Sequence, residues 1–114
     1  KSKNEIKEFV EKTFNYDLDL NVEELRKNYL FDVSCQGTVP QAIFTFLISE
    51  NFEDSIRKAI YIGGDSDTLA CINGSIAEAF YGGVPKNIAD EVYKRMDSRI
   101  SIITNDFREK IISK

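Results

Sequence analysis

Histidine is absent from this 114-residue chain, which removes the usual general base, the usual proton shuttle and the commonest transition-metal ligand together. Chemistry here must run on carboxylates and other oxygen donors. Cysteine is scarce: Cys35 and Cys71, in a chain with no visible secretory leader, point to reduced thiols in a cytoplasmic protein, not to a disulfide framework. With no histidine to activate it, Cys35 reads as a small turn residue, and Cys71 reads as core. Basic clusters are missing too. Lysines and arginines stand singly or in pairs such as Arg26-Lys27 and Arg57-Lys58 against a net charge of −4, which argues against nucleic-acid binding. The longest apolar run, near Ala42 to Ile48, is broken by Thr45 and is far too short for a membrane span of about 20 residues. With two prolines and six glycines, the composition carries no mark of disorder.

What is present is helical periodicity. The length suits one domain over residues 1–114, and the pattern predicts an all-α bundle of six or seven short helices. Ile6, Phe9, Val10 and Phe14 mark one face of a first helix over Glu5 to Phe14. Asn21 caps a short helix, Val22 to Asn28, or belongs to a plain turn. Ser34-Cys35-Gln36-Gly37-Thr38 reads as a loop, and Thr38 with Pro40 as a helix start running to about Glu50. Glu53 to Ile62 is amphipathic, with Ile56, Ala59 and Ile60 expected inward. Leu69, Ala70, Ile72, Ile76, Ala77, Ala79 and Phe80 cover most of a helix circumference, which predicts a central element. Ala70, Gly74 and Ala77 would let a neighbouring backbone approach it. Gly82-Gly83 ends that helix and Pro85 opens another to about Met96. A last helix is expected from about Asp97 to Ile112, with Ile100, Ile103, Phe107 and Ile111 on one face.

The stretch that could carry chemistry is Gly63-Gly64-Asp65-Ser66-Asp67-Thr68. Residues i and i+2 of a regular helix point about 200° apart, so the carboxylates cannot converge from mid-helix. They can if the glycines form an irregular turn, Asp65 lies at the cap, and Asp67 and Thr68 fall in the first turn. Two readings are open. Aspartates at a helix start stabilise it as a cap and through the dipole, with no further role. Alternatively two carboxylates and a hydroxyl converge on Mg²⁺ or a similar ion. An EF-hand does not fit, because Leu69 and Ala70 stand where a ligand and a glycine are needed. Nor does a phosphatase-type aspartate, which follows a buried strand. Glu78 reads as a surface carboxylate, Phe80 and Tyr81 as core or rim aromatics. No residue is assigned as catalytic, and none as binding an organic cofactor.

Ser34-Cys35-Gln36-Gly37-Thr38-Val39-Pro40-Gln41-Ala42, Phe52-Glu53-Asp54-Ser55-Ile56-Arg57, and Gly63 to Ala70 with Gly74 and Tyr81-Gly82-Gly83-Val84-Pro85 resemble, in order and spacing, the C-terminal half of the ADP-ribosylglycohydrolase family. The resemblance runs from about Tyr16 onward. It implies a C-terminal portion of an all-helical enzyme that hydrolyses glycosidic bonds of ADP-ribose, on a modified protein or a small conjugate. It also implies a site with two Mg²⁺ ions, in which Asp65, Asp67 and Thr68 match the C-terminal ligands. The family's Thr-Asp-Asp cluster is not found here, and Asp17-Leu18-Asp19 lacks its pattern. The chain is therefore expected to be a fragment or truncated homologue, inactive alone, in keeping with its start at Lys1-Ser2-Lys3. An apolar face exposed by such a cut would favour self-association.

Overall fold

Side-chain caps decide where most of these helices begin. In the computed structural model, which describes residues 1–111, Ser2 accepts from the Glu5 N–H while Glu5 reaches back to Ser2, and this capping box opens α1 (Lys3–Phe14). Asn21 accepts from the Glu23 and Glu24 N–H groups at the head of α2 (Val22–Asn28), which settles that segment as a helix. Ser34 caps α3 (Cys35–Leu47) and Asn51 caps α4 (Phe52–Tyr61). Then come α5 (Ser66–Tyr81), α6 (Lys86–Arg95) and α7 (Ser98–Ile111). The fold is all-helical, with seven helices among the described residues. Ile112, the expected end of the last helix, lies outside them.

The helix α3 starts three residues earlier than the proline suggested, so Cys35-Gln36-Gly37-Thr38 is its first turn and not a loop. Pro40 sits inside the helix and simply cannot donate to the Gln36 carbonyl.

Residues 1–83 form one compact unit and residues 84–114 another. In the first, α3, α4 and α5 pack on one another. One cluster joins Ala42, Ala59, Ile62 and Leu69, flanked by Tyr29 and Ile72. A second joins Val10, Leu18, Ile43 and Phe44, and seats α1 and the segment after it on α3. Asn73, fully buried, ties the three central helices together: its amide donates to the Ala42 carbonyl (3.3 Å) and Thr45 Oγ1 (3.0 Å), and its oxygen accepts from Ser55 (2.8 Å). Gly74 leaves room for α4, since a Cβ there would lie 3.0 Å from Ile56 Cδ1.

Several expected faces are rotated. Phe9 and Phe14 are exposed while Val10 is buried; Ile60 is exposed while Phe52, Ser55, Ala59 and Ile62 are buried. Cys71 is exposed, not core, because it lies two residues from both Leu69 and Asn73 and so points away from the stripe they bury. Ala79 is likewise exposed. In the second unit α6 and α7 are joined by a hydrogen bond from Arg108 to the Tyr93 hydroxyl (3.2 Å), and Ile100, Ile103, Phe107 and Ile111 are exposed.

Candidate metal centre

Ile62 and Leu69, both fully buried, anchor the two ends of the glycine turn in the core. Between them Gly63 and Gly64 take φ of +85° and +70°, a left-handed path that turns the chain sharply into α5. Asp65 is the N-cap residue, Ser66 the first helical residue, and Asp67 and Thr68 follow in the first turn. This is the placement that spacing required. Asp65 is half-buried, Asp67 and Thr68 are exposed.

Asp65 makes no side-chain cap bond. Its carboxyl instead lies within hydrogen-bonding reach of Asp67. That contact, followed by the Thr68 N–H on Asp67 Oδ1 (3.0 Å), holds the Asp67 carboxyl below its ordinary value. Neither carboxylate is ion-paired with a lysine or arginine among the described residues. Two acids drawn together at the positive end of a helix, without a cationic partner, fit a hard divalent cation on oxygen donors. The chain places the two carboxyls together; Thr68 contributes its N–H to Asp67 and stands next in the turn with its hydroxyl.

Tyr29 holds this turn from the side. Its ring lies so close that a Cβ on Gly64 would be 2.2 Å from Cε1, and its hydroxyl donates to the Gly37 carbonyl (2.5 Å). Burial pushes the phenol up, opposed by the Thr38 hydroxyl and reinforced by the Asp32 and Asp65 charges. The Ser34–Thr38 segment and the glycine turn thus meet through one ring. Asp32 accepts from the Ser34 N–H (2.7 Å), and its backbone oxygen accepts from Thr38 Oγ1 (3.0 Å), fixing the segment's bend.

A different acidic group lies at the end of α1. Carboxylate oxygens of Glu11, Asp17 and Asp19 fall within 4.8 Å of one another, an arrangement able to chelate a metal. It already holds a cation. The Lys7 ammonium bonds Asp19 and lies 3.8 Å from Glu11, while Glu11 accepts from the Leu18 N–H and Asp17 from the Asp19 N–H.

Compared with known families, residues 4–112 match the family model for ADP-ribosylglycohydrolase. The chain belongs to the ADP-ribosylglycohydrolase family. Among curated relatives, an uncharacterized protein from Archaeoglobus fulgidus is 33% identical over 70 residues, 61% of this chain and 22% of that protein. The ADP-ribosylhydrolase ARH3 of Danio rerio is 33% identical over 88 residues, 68% of this chain and 22% of that protein. This family member thus spans about a fifth of the length of the curated relatives it matches. No solved structure matches it. No helix among the described residues is long and apolar enough to cross a membrane.

Sequence reasoning missed Tyr29, which braces the glycine turn, and Asn73, which ties α5 to α3 and α4. Tyr29 gave no signal, because its contact with Gly64 is tertiary. Asn73 did give one: Leu69, Asn73 and Ala77 repeat every four residues, so a polar side chain stood on the most buried stripe.

Proposed function

We propose that Asp65, Asp67 and Thr68 are Mg²⁺ ligands and contribute half of a binuclear site in an ADP-ribosylglycohydrolase. Its reaction is hydrolysis of an N- or O-glycosidic bond in an ADP-ribosylated protein or small ADP-ribose conjugate. The observation that supports this reading is the Asp65–Asp67 pair, adjacent at the start of α5 and in no ion pair with a lysine or arginine among the described residues. When bound, the metal pair would supply Lewis-acid polarisation and orientation of the ribose hydroxyls and a water. The chain's own residues set the donors: Gly63 and Gly64 bend the entry, Tyr29 braces it, and the Thr68 N–H fixes Asp67 Oδ1.

On this reading the chain is the C-terminal portion of the enzyme, a single helical domain that is inactive alone and supplies too few ligands for tight metal binding. Exposed Leu30, Phe31 and Val33, beside the Ser34–Thr38 segment, then belong to a covered surface, and the isolated chain self-associates through it. A cytoplasmic location goes with the reduced cysteines. The competing reading is a non-catalytic helical binding module in which Asp65 serves only as a cap.

Magnesium calorimetry decides between them, on this chain alone and mixed with the N-terminal segment of a full-length relative. Asp65→Asn and Asp67→Asn should each weaken Mg²⁺ binding at least about tenfold and abolish any restored release of ADP-ribose. Unchanged binding and activity with a lowered melting temperature would establish the cap reading. Release of ADP-ribose by the 114-residue chain alone at enzyme-like rates would overturn its inactivity.

A further inference from the structure

The ammonium group of Lys3 forms no ion pair with a carboxylate among the described residues, and the charge of Asp54 reaches it only at longer range. Its Nζ lies 5.0 Å from the centroid of the Phe46 ring, 5.2 Å from Tyr81 and 5.6 Å from Phe80. The rings brace one another edge to face, with centroids 5.2 Å apart for Phe46–Phe80, 5.1 Å for Phe80–Tyr81 and 6.3 Å for Phe46–Tyr81. On its remaining sides the ammonium donates to the Phe46 carbonyl (3.0 Å), to the Ser49 carbonyl, to Ser49 Oγ (3.3 Å) and to the Tyr81 hydroxyl (2.7 Å). Phe46 and Ser49 are buried, and their carbonyls stand at the C-terminal end of α3, the negative end of its dipole. Ser49 and Tyr81 are themselves bonded, at 2.9 Å, so the acceptors hold their positions together.

We propose that Phe46, Phe80, Tyr81 and the Phe46 and Ser49 carbonyls form a primary-ammonium site, filled here from within the chain by Lys3. Three ring faces attract a cation, and several oxygens take its protons. A quaternary ammonium would meet the rings but offer no proton to the Phe46 and Ser49 carbonyls or the Tyr81 hydroxyl, and a carboxylate would be repelled by rings and carbonyls alike. The consequence lies in α1: Lys3 fastens its first turn to α3 and α5, while Ile6 and Val10 fasten the middle to the Leu18–Ile43–Phe44 cluster. Lys3 also lines a surface groove of about 270 Å³ with Phe44, Leu47 and Ile48.

The test is chemical rescue. Lys3→Ala should lower Tm by about 5–15 °C, and 100 mM n-propylammonium chloride should restore at least about 3 °C of that loss. Tetramethylammonium chloride at the same ionic strength should restore none, and neither salt should shift the unsubstituted chain by comparable amounts. An unchanged Tm for Lys3→Ala, or equal response to both salts, would overturn the proposal. Should Lys3→Ala not fold, NMR of the unsubstituted chain decides. The Lys3 ammonium protons should be shifted upfield by the rings and exchange with water about tenfold or more slower than those of Lys12 and Lys27. Exchange as fast as those exposed lysines would end it.

Discussion

Two adjacent glycines with the same left-handed backbone face different surroundings, and this gives a direct test of the turn. A Cβ on Gly63 would meet only Arg26 Nη1, at 3.6 Å, the far end of a flexible side chain. A Cβ on Gly64 would drive into the Tyr29 ring at 2.2 and 2.8 Å. That ring cannot swing aside freely, because its hydroxyl is bonded to Gly37. Gly63→Ala should therefore cost roughly 1 kcal/mol from backbone strain, and Gly64→Ala a further 1–3 kcal/mol or so from overpacking. Urea denaturation of both variants checks the order; equal losses would mean that Tyr29 does not brace the turn. The glycine pair itself was legible in sequence because a turn is local. Which of the two is crowded was not, because Tyr29 arrives from a distant stretch. Cys71 teaches the same lesson: apolar neighbours suggested core, but two residues along a helix is just over a half-turn, about 200°, away from the buried stripe.

At the scale of elements, α5 stands apart from the helices packed around it. α1, α2, α3 and α4 begin with a serine or asparagine side chain bonded to first-turn N–H groups, whereas the Asp65 carboxyl makes no such bond. Asn51→Ala should then cost about 1 kcal/mol through the lost bond to the Asp54 N–H. In metal-free buffer Asp65→Ala should change stability by less than about 0.5 kcal/mol, since no side-chain cap bond is lost and only a partly screened dipole interaction goes with the carboxyl. Thermal melts of the two variants side by side measure this. A loss at Asp65 as large as at Asn51 would restore the cap as its main role. Helix existence was readable for the longer elements, whose patterns are periodic over two turns or more, but the seven-residue α2 was open between helix and turn, and helix starts were less legible. Ser34 looked like part of a polar loop, and Pro40 looked like a first-turn residue, because proline is also tolerated in an interior where one carbonyl goes without its donor.

For the whole molecule, the ligand set proposed for Mg²⁺ could be named from sequence because Asp65, Asp67 and Thr68 lie within four consecutive residues on one local turn. The burial of each helix face could not, because it depends on which neighbour packs where. Charge adds a property that no single element determines. Several carboxyls sit below their ordinary values of 3.8 for Asp and 4.5 for Glu: Glu5 through bonds from Ser2, Asp32 through Ser34, Asp54 through Lys58, Asp67 through Asp65 and then Thr68, and Glu91 through Lys94 and Arg95. A depressed carboxyl contributes stability that is present above its unfolded value and lost as pH falls through its folded one. At the other end, Lys7 is raised above 10.5, chiefly by its hydrogen bond to Asp19, and Tyr29 above 10.0 by burial. Their contributions are present below those values and lost as pH rises through the folded ones. The urea midpoint should therefore hold level between about pH 5 and pH 9, then fall below about 4.5 and again above about 10. Asp54→Asn should flatten part of the acid limb and leave the alkaline limb in place, and Tyr29→Phe should do the reverse. A midpoint unchanged from pH 5 down to pH 2 would show that these hydrogen bonds do not distinguish the folded chain from the unfolded one.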